Sequence, residues 1–304
     1  MLRRHWGALA AGLSSLDLGC AAIIDFPDDP QLFTQAELSP EPPRGCPPDP
    51  ARPATTSAET ARVRVQACDA LRGCSTPVPE LTARLCAKLD VDCASPLQLG
   101  ISAVDGLFEL DVPTLGMGFA GYLQVTSATE LCTSPVFGGA SPLLCSLVPQ
   151  CNPEAPDDSC RVPLYAPALL FFNPPITSDV PEPLGLSLLS SAAMPGIVRA
   201  AGSDYDPTMG NLLVMARGCD GTPAAGIRYD LGEEQSQLTQ LYMDSGVLSR
   251  ARDATDDTGM GAFTGVRPGF ASVVAYDGAG QRVGAVGVQV APGTITYATL
   301  LPSR

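Results

Sequence analysis

Alternation of apolar and polar residues is the clearest pattern in the first half of the chain. Between Leu81 and Val91, every second residue is apolar and the residues between them are mostly polar or charged. This period of two predicts a β-strand with one buried face, because successive side chains point to opposite faces of a sheet. The individual residues are good helix formers, so a helix remains the alternative for this segment.

Further strands are predicted along the whole chain. They cover residues 61–65, 108–112, 122–125, 169–172, 212–216, 227–231, 271–276, 283–290 and 294–300. Asp277-Gly278-Ala279-Gly280 is a hairpin turn between two of them. One short helix is predicted from Pro195 to Ala201, with Gly202 as its stop.

A turn pattern occurs twice. In the second half, the turn at 219–223 is followed by Asp257-Thr258-Gly259 and a Pro-Gly-Phe strand start at 268–270. In the first half, Cys93-Ala94-Ser95-Pro96 is followed by Asp105-Gly106 and the strand at 108–112. With many short strands between turns, this repeat predicts an all-β fold of two tandem β-sandwich domains, covering residues 61–180 and 181–304.

The second copy of this pattern resembles the carboxypeptidase regulatory-like domain, a small β-sandwich of transthyretin-like topology. The resemblance rests on the turn that begins at Asp220-Gly221, on Asp256-Asp257-Thr258-Gly259, and on Pro268-Gly269-Phe270. It covers residues 210–300 well and 61–175 loosely. Domains of this family are mostly accessory modules without catalytic residues, so the resemblance implies a binding or structural role.

The N-terminus has the form of an export signal. Arg3, Arg4 and His5 precede a short apolar stretch that ends at Leu18-Gly19-Cys20. Residues 1–20 resemble a bacterial lipoprotein signal, which implies lipidation of Cys20 and an anchor in the membrane of the cell envelope. Asp17 departs from that pattern, so ordinary secretion and no export are the alternatives.

Residues 21–60 are rich in proline and acidic residues and are interpreted as a linker. Proline favours an extended, semi-rigid chain, which would act as a spacer between a membrane and a folded head. A disordered tail without a spacing role is the alternative.

Eleven cysteines in 304 residues favour an oxidising compartment. Lipidation of Cys20 would leave ten disulfide candidates. Pairing of near neighbours predicts Cys68 with Cys74, Cys86 with Cys93, Cys132 with Cys145, and Cys151 with Cys160, and leaves Cys46 and Cys219 over. Spacing alone does not determine connectivity.

No Cys-x-x-Cys occurs, which argues against a structural zinc site. The segment from 127 to 158 is interpreted as a disulfide-rich excursion from the first domain.

Composition excludes several classes of function. The net charge of -14 argues against nucleic acid, because phosphate binding depends on clusters of Lys and Arg. The sole histidine, His5, lies in the signal, so Ser-His-Asp catalysis is not expected. Lys88 is the only lysine, and the strand interpretation places it on an exposed face. No catalytic residue, cofactor or metal is expected.

Acidic residues and aromatic residues are the remaining candidates for a site. Asp253, Asp256 and Asp257 form a weak candidate for calcium or sugar binding, or for carboxylate-based hydrolysis; solvated loop acids are the simpler interpretation. Tyr165, Phe171 and Phe172 would stack on a sugar if exposed, but such residues more often belong to a core. The sequence therefore predicts a non-enzymatic envelope module that binds a protein or polysaccharide, with a carbohydrate-binding accessory protein and a hydrolase as alternatives.

Overall fold

Strands form along most of the chain, as the alternation predicts. A computed structural model describes residues 59–72, 75–116, 118–132, 145, 160–232 and 238–301. In the first half the strands are β1 (Thr60–Asp69), β2 (Thr82–Ala87), β3 (Gln98–Ile101), β4 (Leu107–Pro113), β5 (Gly121–Thr126), β6 (Thr129–Leu131), β7 (Arg161–Pro163), β8 (Ala168–Phe171) and β9 (Leu184–Leu188). Helix α1 (Met194–Ala200) follows. The second half contains β10 (Gly210–Ala216), β11 (Arg228–Leu231), β12 (Thr239–Asp244), β13 (Val247–Ser249), β14 (Met260–Val266), β15 (Gly269–Tyr276), β16 (Arg282–Val290) and β17 (Ile295–Leu300).

One sheet extends through both halves of the molecule. Its nine strands follow the order β13-β12-β14-β10-β17-β8-β5-β2-β3. Two three-stranded sheets, β4-β1-β9 and β11-β15-β16, pack against it, and β6 and β7 form a separate ribbon. The predicted all-β fold of two tandem sandwiches is thus confirmed, and the two sandwiches share their longest sheet.

The two cores lie on opposite faces of the shared sheet. Ala168 of β8 belongs to the first core, with Phe108 of β4 and Leu186 of β9. Its neighbour Leu169 belongs to the second core, with Val288 of β16. Adjacent residues of a strand point to opposite faces, so β8 contributes to both cores at once.

Parallel pairing between β17 and β8 joins the sandwiches. Thr296 lies opposite Leu169 in this register. The domain boundary predicted between residues 180 and 181 stays a prediction, but strand β9, which follows it, pairs in parallel with β1 of the first half, with Leu184 opposite Val65. The chain therefore completes its first sandwich after residue 181.

The two halves repeat the same hydrogen-bonded arrangement around their turns. In the first, Ala67 donates its N–H to the Gly106 carbonyl at 3.0 Å. In the second, Ala216 donates its N–H to the Gly259 carbonyl at 2.8 Å. Both β1 and β10 have an antiparallel and a parallel neighbour. The repeated Asp-Gly turns thus occupy equivalent places in the two sandwiches.

Two details of the predicted pattern are wrong. The strand predicted from Leu81 to Val91 ends at Ala87, because the Cys86–Cys93 disulfide closes a loop there. The first copy of the turn pattern does not begin at Cys93, as the sequence predicted. In the second sandwich the turn begins at an isolated bridge between Arg217 and Pro223, and the equivalent bridge in the first sandwich joins Cys68 and Pro77.

Helix α1 confirms the single predicted helix. Pro195 lies in its first turn, and Gly202 follows it with a φ of +78°. Its buried Met194 and Val198 pack with Ile295 of β17. None of the helices in the described part of the chain is long and apolar enough to cross a membrane.

Several predicted segments lie outside the described residues. They include the signal at 1–20, the linker at 21–60 except for its last two residues, and most of the disulfide-rich excursion. The acidic stretch between Leu231 and Asp256 contains the β12–β13 hairpin, which extends the shared sheet beyond β14.

Candidate functional site

A cleft of about 490 Å³ lies where the two sandwiches meet. We call it the junction cleft. Its floor is formed by β10 and β17, one side by β9, and its wall by the loop from Phe172 to Pro181. The lining residues include Leu170, Asp179, Val180, Leu213, Met215 and Arg217. The cleft exists because sheet β4-β1-β9 ends at β9, whereas the shared sheet beneath it continues.

Hydrogen bonds hold the floor and walls of the junction cleft together. The Tyr297 hydroxyl donates to the Ser187 carbonyl oxygen, which links β17 to β9. Burial raises the pKa of Tyr297 well above its usual value, so this hydroxyl stays protonated. On the wall, the Asn173 side-chain amide donates to the Thr299 carbonyl at 2.7 Å. These bonds give the cleft a fixed shape.

A second surface lies at one edge of the shared sheet, on β3 and the residue before it. Leu97, Leu99 and Ile101 recur every second residue and have exposed fractions of 51%, 64% and 74%. We call these three residues the β3 row. Leu89, Val91 and Val104 lie in the flanking loops and are also exposed. Six of the nine exposed large apolar side chains in the described residues thus fall between positions 89 and 104.

The loop before the β3 row is firmly held. The Cys86–Cys93 disulfide closes it, with the two Cα atoms 5.4 Å apart. The Asp90 carboxylate accepts from the Ala94 N–H at 2.9 Å and from the Ser95 N–H at 3.0 Å. The Tyr122 hydroxyl donates to the Asp90 carbonyl at 2.5 Å, and burial raises its pKa. Leu89 and Val91 are therefore presented to solvent by a braced loop.

The three predicted acidic residues do not form one cluster. Asp253 is exposed and pairs with Arg228 at 3.2 Å. Asp256 accepts from both the N–H and the hydroxyl of Thr258, at 3.0 and 2.5 Å, and so shapes a turn. Asp257 is exposed. Within the described residues, no group of three His, Cys, Asp or Glu side chains is placed to hold a metal ion.

The predicted aromatic residues belong largely to the interior. Phe171 and Phe172 are 5% and 6% exposed, and Phe171 stacks on Tyr122 with ring centroids 5.0 Å apart. The Tyr165 hydroxyl donates to the buried Asp69 carboxylate at 3.1 Å. Burial and the negative charge of Asp69 raise the pKa of Tyr165 to about 12. Phe171 and Phe172 are therefore too buried to stack on a sugar, whereas Tyr165 is half-buried.

A buried tyrosine pair fills the second core. Tyr229 and Tyr242 stack with centroids 5.9 Å apart. The Tyr229 hydroxyl donates to the Gly259 carbonyl at 2.7 Å, and the Tyr242 hydroxyl accepts from the Tyr229 N–H at 2.8 Å. Burial raises the pKa of both hydroxyls, so each remains neutral; the Tyr229 hydroxyl serves as a donor and the Tyr242 hydroxyl as an acceptor.

The cysteines agree with the predicted pairing where the structure describes both partners. Cys86–Cys93 and Cys132–Cys145 are disulfides, the latter with Cα atoms 5.2 Å apart. Cys68, Cys160 and Cys219 are disulfide-bonded as well. The candidates Cys20, Cys46, Cys74 and Cys151 lie outside the described residues.

Sequence reasoning missed both surfaces. The alternation of Leu97, Leu99 and Ile101 is visible in the sequence and predicts a short strand. It does not show that the outer side chains stay uncovered. The junction cleft has no sequence signal, since it depends on the pairing of β17 with β8.

Comparisons with known proteins identify no family. No protein-family model matches the chain, and no curated protein matches it. Among solved structures, it is similar to the Bacillus anthracis TIE protein at 9% identity and a TM-score of 0.24, over 80% of this chain and 34% of that one. A streptococcal ancillary pilin matches at 9% identity and a TM-score of 0.21, over 82% and 64%. The shaft pilin SpaA of Lactobacillus rhamnosus GG matches at 9% identity and a TM-score of 0.22, over 81% and 99%. The match thus spans only about a third of the first of these proteins, and scores this low carry no argument about function.

Proposed function

We propose that the protein is an exported, non-enzymatic module of the cell envelope that binds a protein partner through the β3 row. The observation that carries this proposal is the concentration of exposed apolar side chains at one edge of the shared sheet. Contiguous apolar surface of this kind marks interaction sites in soluble domains. An edge strand also offers backbone groups with which an added strand can pair.

Disulfide bonding supports export. All seven cysteines in the described residues are in disulfides. Disulfides persist in oxidising compartments and are rare in a reducing cytosol. Attachment through a lipid on Cys20 would place the module at a membrane, and mass spectrometry of the mature N-terminus tests this part of the proposal. An unprocessed Met1 without lipid on Cys20 would contradict the anchor.

Photo-crosslinking in the cells that produce the protein tests the partner site. A photoreactive residue replaces Ile101, and the matched control replaces Leu115, which is also 74% exposed but lies in the loop after β4 and not in the β3 row. We expect a discrete protein adduct from position 101 only. The crosslinker is then moved to Leu99. Ile101→Asp should abolish the adduct formed from Leu99, whereas Leu115→Asp should leave it intact. Equal adducts from positions 101 and 115 would refute the proposed site.

A sugar-binding role is the second candidate, and one residue favours it. Phe270 of β15 is 62% exposed, and its ring lies over the backbone of Gly287 on β16. An exposed aromatic ring of this kind can stack on a sugar. A glycan array compares the natural protein with Phe270→Ala; binding that this substitution removes would support the candidate, and a blank array would refute it.

A further inference from the structure

We propose that the partner bound at the β3 row is a second copy of this chain, which pairs antiparallel with β3 across a two-fold axis at Gly100. The shared sheets of the two copies then continue into one another at this edge. This inference rests on the proposed function, because it names the partner of the same site.

The backbone of β3 is open on its outer side. Ser102, the residue after β3, donates its N–H to the Leu81 carbonyl at 2.9 Å, on the side of β2. Neighbouring residues of a strand direct their backbone groups to opposite sides, so Leu99 and Ile101 direct theirs away from β2. Among the described strands, β3 is the last of the shared sheet on this side. Leu99 and Ile101 therefore offer N–H and carbonyl groups at the spacing that an added strand requires.

The two edges of the shared sheet differ in their protection against pairing. Strand β13, at the opposite edge, has three residues and is followed by Arg250 and Arg252. The Arg252 side chain pairs with Asp244 of β12 at 3.3 Å. Short strands and flanking charges keep the edges of natural sheets unpaired. Residues 93–104, which contain β3, include no Asp, Glu, Lys or Arg, so this edge lacks that protection and is suited to being covered.

The β3 row is complementary to itself. When Gly100 faces the second copy's Gly100, Leu99 lies opposite the second copy's Ile101, and Ile101 lies opposite the second copy's Leu99. Each of these pairs exchanges both of its N–H···O bonds, because the open backbone groups of β3 belong to these residues. Their side chains share one face, on which Leu99 is opposite Arg84 and Ile101 is opposite Thr82 within the same copy. Apolar side chains that lie directly opposite each other stabilise a strand pair, so the β3 row of one copy packs against that of the other.

Charge favours a second copy over a charged partner. Asp111 of β4 lies beside this edge, since its N–H donates to the Gln98 side chain at 2.9 Å. Its carboxylate pairs with Arg62 at 3.6 Å, so the acid is balanced within the copy. A chain with a net charge of -14 repels a second copy wherever their acidic surfaces meet, and the uncharged β3 edge avoids this repulsion. A two-fold pair also buries the same surface on both copies and closes without leaving an open β3 edge.

Photo-crosslinking between two tagged copies identifies the partner. Cells that produce the protein carry two full-length copies, each with a different epitope tag and a photoreactive residue at position 101. We expect an adduct of twice the mass of one chain that carries both tags. An adduct with an unlike protein in place of the second copy would overturn this inference and leave the proposed function standing. Absence of any adduct from position 101 would overturn both.

The position of the link tests the register. A photoreactive residue at position 101 should attach at or beside the second copy's Leu99, and one at position 99 should attach at or beside the second copy's Ile101. Both links follow from the axis at Gly100. A link from position 99 to the loop at 88–92 would place the two copies in another register and overturn the proposed axis.

Leu99→Pro tests whether the backbone of β3 makes the contact. Proline removes the N–H that points away from β2 and leaves the bonds to β2 in place, as on the edge strands of natural sheets. We expect the two-tag adduct from position 101 to fall by about tenfold or more, because each copy loses a hydrogen bond and the ring obstructs the added strand. Leu99→Val keeps both the N–H and an apolar side chain, so its adduct should stay within about twofold of the original. An undiminished adduct in Leu99→Pro, or an equal loss in Leu99→Val, would contradict pairing through the backbone.

Discussion

Gly259 approaches the carbonyl oxygen of Ala216 so closely that no side chain fits between the two backbones. A Cβ on this glycine would overlap that oxygen and would lie 2.9 Å from the Ala224 nitrogen. Gly106 stands in the same relation to the carbonyl oxygen of Ala67 in the first sandwich. The close approach allows the turn before β4 to pair with β1 and the turn before β14 to pair with β10, so glycine is required twice for the same reason.

Gly259→Ala should therefore destabilise the protein strongly. Its φ is +68°, which disfavours any residue with a side chain, and the overlap adds to this strain. We expect the free energy of unfolding to fall by about 2–4 kcal/mol. Gly246→Ala is the control, because its φ is +84° but a Cβ there meets open space; it should cost only about 1 kcal/mol. Urea denaturation measures both, and equal losses would contradict the close-approach argument.

Two buried hydroxyls perform the same task in the two sandwiches. The Thr255 hydroxyl accepts from the Ile227 N–H at 3.0 Å and donates to the Ala224 carbonyl at 2.8 Å. The Ser102 hydroxyl accepts from the Leu81 N–H at 2.9 Å and donates to the Val78 carbonyl at 3.2 Å. Each hydroxyl satisfies two backbone groups at the start of a strand.

Thr255→Val and Ser102→Ala should each lower the free energy of unfolding by about 1–3 kcal/mol, since each leaves a buried N–H and a carbonyl without a partner. Thr255→Ser retains the hydroxyl and should lose less. Thermal and urea unfolding measure the effect. A Thr255→Val variant as stable as the Thr255→Ser variant would show that the hydroxyl contributes nothing.

Ionisation of Tyr165 should weaken the fold at high pH. Burial and Asp69 raise the pKa of Tyr165 to about 12 in the folded protein, above its ordinary value of 10.0. The folded state thus holds the proton more tightly, so its advantage is complete below pH 10 and is lost as the pH rises from about 10 through about 12. Tyr165→Phe should remove this part of the alkaline decline in unfolding free energy.

Asp69→Asn supplies the control for that prediction. It removes the negative charge beside the hydroxyl, so the pKa of Tyr165 should fall but stay raised by burial. Spectrophotometric titration of the phenolates in the natural protein and both variants measures the shift. An unchanged titration in Asp69→Asn would show that the carboxylate does not act on Tyr165.

The Cys86–Cys93 disulfide should stabilise the loop beside the β3 row. Replacing both cysteines by Ala should lower the free energy of unfolding by about 2 kcal/mol, because the short loop gains freedom in the unfolded chain. Amide exchange should also become faster in residues 88–96. Thiol titration of the denatured, unreduced protein should find no free thiol at any of the seven described cysteines, and several titratable thiols there would contradict this bonding.

Much of the local structure was predictable because it depends on neighbouring residues. The buried side chains Phe108, Leu110 and Val112 follow the alternation of β4, and Gly202 ends α1 with a positive φ. Cys86 and Cys93 lie close enough in sequence to pair by proximity. The end of β2 at Ala87 was not predictable, since the alternation continues through Leu89 although the backbone turns away.

The sequence by itself determined where many of the strands form, which faces those strands bury, and where glycine must allow a turn. Only the tertiary structure decided that β17 pairs with β8, that β9 returns to β1, and that the β3 row stays exposed. The reason is physical. Side-chain periodicity reports which face of a strand is buried, whereas the choice of neighbouring strand depends on backbone hydrogen-bonding groups that are the same at almost every residue. The junction cleft and the β3 row both result from that choice.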